Sequence, residues 1–133
     1  MSETEQGGVL ALVAGHGDFA AGIVSALGQI TGRGDAFVTL SNRDMSAADV
    51  ERAMREQVDG KSLGVIFTDL PAGSCTMAAR RLQRERPAVV VVTGTNLATL
   101  LDFVFHVGVP VGEAAKHAAE KGRAALVVTG GTG

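Results

Sequence analysis

The sequence predicts a doubly wound α/β domain, and three observations carry that prediction. Short apolar runs rich in Val, Ile and Leu recur along the 133 residues. Segments of helical period separate them. The runs are near-continuous rather than alternating, as strands covered on both faces are. Strand–helix alternation implies a mostly parallel sheet, right-handed crossovers and helices on both faces.

The first strand is read at Val9–Ala14, before a helix on which Phe19, Ile23, Val24, Leu27 and Ile30 recur at helical spacing. The second is Ala36–Leu40. Ser46 and Asp49 then have the form of a capping box, opening a helix that carries Val50, Met54 and Val58. A third strand, Leu63–Thr68, precedes a helix that starts at Ser74 and buries Ala78, Ala79 and Leu82. It must stop before Pro87, because proline pushes the preceding residue out of helical conformation. The fourth strand, Ala88–Thr93, leads to a helix with Leu97, Leu100, Leu101 and Val104 on one face. A fifth helix is expected from about Gly112 to Lys121, ended by Gly122, with a fifth strand at Ala124–Val128. The chain is therefore read as one domain over residues 9–128, between loose tails at 1–8 and 129–133.

Composition narrows the function. Apolar residues make up 46% of the chain, enough for a substantial core. Twelve basic and 14 acidic side chains give a formal charge of -2 without long runs, so there is no electrostatic case for nucleic acid or an anionic membrane. Cys75 is the only cysteine, which rules out an internal disulfide and argues against a Cys-based metal cluster; no metal site is expected. No apolar run approaches the roughly 20 residues that span a bilayer. Met1–Gly8 is polar and acidic, without the order of a signal peptide. The expectation is a cytoplasmic protein with no direct membrane insertion.

In open α/β sheets, ligands gather beyond the carboxyl ends of strands where strand order reverses. Gly15-His16-Gly17 follows the first strand, Asp69 to Ser74 the third, and Gly94-Thr95-Asn96 the fourth. In a 2-1-3-4 order, His16 and Asp69 meet at the switch point. A carboxylate on one ring nitrogen fixes the tautomer and leaves the other as a directed nucleophile. Gly15 and Gly17 remove side-chain bulk, so a large donor can approach. Gly73 and Ser74 open the third helix, whose free amides, with the Ser74 hydroxyl, form an anion site. His16 and Asp69 are thus the candidate catalytic residues, with Gly17, Gly73 and Ser74 the candidate phosphate-binding residues. Together they suit phosphoryl transfer, where positioning and charge stabilisation carry most of the catalysis. Singly, each has a plainer reading: His16 as a turn residue, Asp69 as a turn former or cap, Gly73-Ser74 and Asn96 as helix entries.

His106 and His117 read as surface or packing residues, and Cys75 as a small structural residue. Arg80, Arg81, Arg84 and Arg86 read as a solvated helix face. The turn after the first strand lacks the further glycine and the lysine of nucleotide-binding loops, so no nucleotide or other cofactor is expected.

Three segments in order, Gly15-His16-Gly17-Asp18-Phe19-Ala20, Thr68-Asp69-Leu70-Pro71-Ala72-Gly73-Ser74 and Thr93-Gly94-Thr95-Asn96-Leu97-Ala98-Thr99-Leu100-Leu101, resemble the IIA component of the mannose family of sugar phosphotransferase systems. The similarity runs from Val9 to Val128. The resemblance implies that His16 is phosphorylated by the histidine-containing phosphocarrier protein and donates to a IIB component. It further implies that Asp69 orients His16 and that the Ser74 hydroxyl lies beside the phosphate. It also implies a last strand that is antiparallel and a homodimer, in keeping with an apolar run at Ala124–Val128 that would otherwise leave an open sheet edge. Ala72 and Cys75-Thr76 depart from the family pattern of glycine and Pro-Phe, the latter removing apolar surface near the site. Two other readings share the chemistry: a regulatory phospho-switch of an incomplete system, and the phosphoryl donor of dihydroxyacetone kinase. In the kinase donor His-Ser usually stands in place of His-Gly.

Overall fold

The computed structural model describes residues 8–106 and 108–132. Its elements run β1 (Ala11–Gly15), α1 (Phe19–Thr31), a 3-10 turn (Gly34–Ala36), β2 (Phe37–Ser41), α2 (Ala47–Lys61), β3 (Val65–Thr68), α3 (Ser74–Glu85), β4 (Val90–Val92), α4 (Leu97–Val104) and α5 (Val111–Ala124). The four strands form one sheet in the order β2-β1-β3-β4, and every pairing is parallel. The 2-1-3-4 order is therefore as the sequence predicts. Of the tail expected at 1–8, only Gly8 lies within the described residues.

Two cores, one on each face of the sheet, follow from the period of two in a strand. Ala11 and Val13 of β1 and Val65 and Phe67 of β3 face one side, where α1, α4 and α5 cover them. Leu12, Ala14 and Ile66 face the other, under α2 and α3. Phe37, Phe67 and Phe103 anchor the first core. The rings of Phe67 and Phe103 meet edge to face at 5.0 Å between centroids, a preferred arrangement for aromatic pairs. Burying both faces of β1 and β3 makes their runs continuously apolar.

Local signals set most helix ends. At α2, Asp49 N donates to Ser46 Oγ (3.1 Å) and Ser46 N to Asp49 Oδ2 (3.3 Å), completing the capping box. Val50, Met54 and Val58 are buried as their spacing requires. The α3 helix ends at Glu85, ahead of Pro87. The expected solvated arginine face is partly committed. Arg86 grips Asp59 with two bonds of 2.6 Å, and Arg81 reaches Glu51 at 3.5 Å, so α3 is tied to α2.

Three expectations need correction. Ile30 is exposed rather than packed with its helical partners, because it lies in the last turn of α1, beyond the sheet's cover. Gly122 does not end its helix. It is buried within α5, which continues to Ala124, and a Cβ there would overlap Thr99 Oγ1 and come within 3.0 Å of Asn96 Oδ1. Glycine at this position permits close approach of α5 to α4 rather than a left-handed turn. No fifth strand forms at Ala124–Val128. Ala124 is the last residue of α5, and Leu126, Val127 and Val128 are exposed. A strand needs a partner edge, and among the described residues this segment meets none.

Candidate active site

Parallel pairing of β1 and β3 sets Ala14 beside Thr68, so the residues leaving these strands emerge side by side. The chain departs from β1 toward β2 on one side, while β3 flanks it on the other; this is the switch point. His16 N donates to Asp69 Oδ2 at 2.9 Å, and His16 Nδ1 lies 2.8 Å from the same oxygen. The strand ends need to be in close contact for this. A Cβ on Gly15 would stand 2.9 Å from Asp69 Cγ and 2.7 Å from Phe19 Cδ2.

The carboxylate is mostly buried, with its side chain 10% exposed, whereas the His16 side chain is 53% exposed. Burial alone would raise the Asp69 pKa. The His16 amide and ring hydrogen bonds outweigh it and hold the carboxyl below its ordinary value. An ionised carboxylate only accepts hydrogen bonds. Nδ1 therefore carries the hydrogen, and Nε2 is left with the free lone pair. His16 and Asp69 thus meet at the switch point, as the sequence predicts.

Gly73 has φ +110°, a conformation side chains rarely adopt. A Cβ at this position would lie 3.2 Å from His16 Cε1 and 3.7 Å from Nε2, so the backbone of Gly73 stands against the Nε2 edge of the ring. The first intrahelical bond of α3 runs from Met77 N to Gly73 O. The amides of Ser74, Cys75 and Thr76 precede it and carry the partial positive charge of a helix N-terminus. Gly17, also at positive φ, adds no side chain of its own beside His16.

Two residues of this site escaped sequence reasoning. Asn42, just past β2, donates from Nδ2 to Ser74 Oγ at 2.8 Å, and its amide donates to Gly15 O at 3.2 Å. By occupying an acceptor position on Ser74, Asn42 leaves the hydroxyl hydrogen free to point at an anion. Arg43 pairs with Asp18 at 3.2 Å and reaches over Gly17, where it would lie 3.3 Å from a Cβ. The signal available was their place at the end of the strand neighbouring β1, since polar residues at such ends face the switch point.

Beneath the loop, Thr76 Oγ1 donates to Leu70 O at 2.6 Å and lies 2.7 Å from Thr68 Oγ1. Both threonines are buried, so the hydroxyl pair fixes the turn that carries Asp69. Thr76 is therefore an internal brace of that turn. Cys75 is buried, and burial followed by the nearby Asp69 charge pushes its thiol up to about 11. It is an inert structural residue. Asn96 takes no part in the His16 cluster; its Oδ1 accepts from Thr99 N at 3.0 Å as a helix cap, and Nδ2 donates to Gly122 O at 2.9 Å.

Solved structures share this fold. The phosphotransferase component EIIA from Streptococcus agalactiae superposes with a TM-score of 0.79 at 26% identity, over 90% of this chain and 96% of that one. The mannose/sorbose-specific IIA subunit from Enterococcus faecalis gives 0.78 at 19% identity, over 95% and 98%. The IIA protein associated with the fucose utilization operon of Streptococcus pneumoniae gives 0.75 at 24%, over 91% and 93%. A comparison with curated proteins finds no match. No helix among the described residues is long and apolar enough to cross a membrane. The profile of the EIIA-man family, described as the fructose IIA component of the phosphotransferase system, matches residues 11–122. The chain therefore belongs to the EIIA-man family and is a phosphotransfer component of a sugar phosphotransferase system.

Proposed function

We propose that His16 carries the phosphoryl group, taking it from the histidine-containing phosphocarrier protein and passing it to a IIB component in the cytoplasm. The observation that supports this most is the Nδ1–Asp69 contact of 2.8 Å, which leaves Nε2 as nucleophile beside Gly73. Nε2 attacks phosphorus as the donor's nitrogen–phosphorus bond breaks, and the Nδ1 hydrogen stays on the ring. Asp69 balances the positive charge that develops on the imidazole. The Gly73–Thr76 turn and the Ser74 hydroxyl receive the phosphoryl oxygens, with Gly17 leaving room for them. The reverse step hands the group to the acceptor. No metal or cofactor enters this scheme. A half-exposed ring suits a carrier that must present the same nitrogen to two proteins in turn.

The test is labelling with phosphoenolpyruvate, enzyme I and the phosphocarrier, followed by mapping of the label. A base-stable, acid-labile phosphate on His16 is expected. Label on His106 or His117, or full labelling of His16→Ala, overturns the assignment.

The same reading includes a homodimer held partly by Ala124–Val128. Its support is the row of exposed apolar side chains at Leu126, Val127 and Val128, whose backbone could pair with a neighbouring subunit. Light scattering on the intact protein and on a version truncated after Ala124 tests it. A monomer at micromolar concentration in the intact protein defeats the dimer, and a dimer that survives truncation moves its interface elsewhere.

A further inference from the structure

A second cluster of histidine and carboxylate stands on the α4–α5 layer. Asp102 lies on α4, His106 just beyond its end and His117 on α5. Asp102 Oδ2 is 2.7 Å from His117 Nδ1 and 3.5 Å from His106 Nδ1. The two imidazole centroids are 4.5 Å apart. One donor atom from each residue lies within 4.8 Å of one from each of the others. His106 also borders a cleft of about 180 Å³ with Leu10, Phe103 and Val111. Leu10 precedes β1, so this cleft opens at the amino ends of the strands, whereas His16 and Asp69 follow the carboxyl ends.

The tautomer of His106 is set by its own helix. Nδ1 lies 2.8 Å from the carbonyl oxygen of Asp102; a carbonyl only accepts, so Nδ1 holds the hydrogen and Nε2 keeps its lone pair. Imidazoles that bind metal are commonly held in this way, with one nitrogen bonded to a carbonyl or carboxylate and the other free. Asp102 is 13% exposed, while His106 and His117 are 35% and 49% exposed. The carboxylate is thus anchored below and the imidazoles open to solvent above.

We propose that Asp102, His106 and His117 bind one divalent transition-metal ion of the zinc class, with water completing its coordination. Two imidazoles and one carboxylate suit zinc, nickel or copper, whereas magnesium and calcium require six or more oxygens. Zinc–ligand lengths of about 2.0–2.1 Å place tetrahedral donors about 3.3 Å apart. One donor atom of each residue already lies within 4.8 Å of those of the others, so side-chain rotations that exchange the 2.7 Å His117–Asp102 hydrogen bond for coordination reach that edge. The ion would fasten the end of α4 to the middle of α5.

Zinc titration of metal-free, tag-free protein by calorimetry tests the site. One zinc per chain is expected, with no heat from magnesium and a rise in the thermal midpoint, since the ion binds the native state. His16→Ala retains the site. His106→Gln and His117→Gln each weaken binding at least about tenfold. Imidazole ¹⁵N spectra of the unaltered protein show His106 and His117 shifting on zinc addition while His16 does not, a readout independent of any variant's folding. Absence of binding at 100 μM zinc overturns the proposal. Undiminished binding in the His106→Gln/His117→Gln double variant, or loss of binding in His16→Ala, does so equally.

Discussion

Two histidine–carboxylate pairs in this molecule are nearly identical as pairs. His16 Nδ1 lies 2.8 Å from Asp69 and His117 Nδ1 lies 2.7 Å from Asp102. Their imidazoles are 53% and 49% exposed, their carboxylates 10% and 13%. The surroundings separate them. His16 sits on a loop between glycines, and its free edge faces the start of α3 at Gly73, where backbone amides offer positive partial charge to an incoming anion. His117 lies in mid-helix on α5 and faces a second imidazole, that of His106, which offers a lone pair and suits a cation. A histidine held by a carboxylate is therefore not by itself a phosphoryl site. The sign of the partners beyond the ring decides what it can hold.

The largest effect that would break this comparison is loss of transfer. His16→Ala is expected to abolish phosphoryl acceptance, whereas His117→Ala leaves the labelling rate unchanged; equal loss in both would erase the distinction drawn between the sites. Next, Asp69→Asn is expected to slow phosphorylation by on the order of 10²-fold, because an amide neither balances the imidazolium nor holds its tautomer as well. Asp102→Asn leaves it unaltered. Rapid-quench kinetics on folded variants measures both, and an unimpaired Asp69→Asn would remove Asp69 from the mechanism.

A smaller change is expected at Asn42. Asn42→Ala frees Ser74 Oγ from its 2.8 Å partner and is expected to slow transfer by about three- to tenfold, given that a neutral hydrogen bond is worth about 0.5–1.5 kcal/mol. Asn42→Asp, which turns a donor into an acceptor beside the phosphate, should be worse than alanine. If alanine and aspartate behave alike, Asn42 does not position Ser74.

The smallest effect concerns stability and pH. The folded Asp69 carboxyl titrates below its ordinary value of 3.8. Its stabilisation is thus complete above about pH 5 and is lost as pH falls through the depressed folded value. The native protein should exceed Asp69→Asn in stability by about 1 kcal/mol at pH 7, with the gap closing toward pH 3. Urea denaturation at both pH values reads it; a gap that widens in acid would mean the carboxylate is destabilised by burial rather than held by His16.

How much of this could be read from the chain alone varies with the range of the interaction. The capping box at Ser46 and Asp49, the stop before Pro87 and the two-faced burial of β1 and β3 are local or periodic, and their residues announce them. The His16–Asp69 pair was legible because both residues follow strands, and strand order then places them together. Cys75 reads as a small structural residue, and its burial agrees.

Elsewhere the deciding contact lies far along the chain. Nothing near Gly122 distinguishes a helix-ending glycine from one that lets two helices touch; Thr99 and Asn96, more than 20 residues away, make that distinction. Asn42 acquires its role only from Ser74, 32 positions later, and His117 from Asp102, 15 positions earlier. The apolar run Ala124–Val128 has the composition of a strand, yet α5 takes its first residue and no neighbouring edge meets the rest among the described residues. Composition determines which backbone a segment can adopt at low cost. Pairing, close approach and shared hydrogen bonds require a second segment, and only the tertiary structure supplies its position.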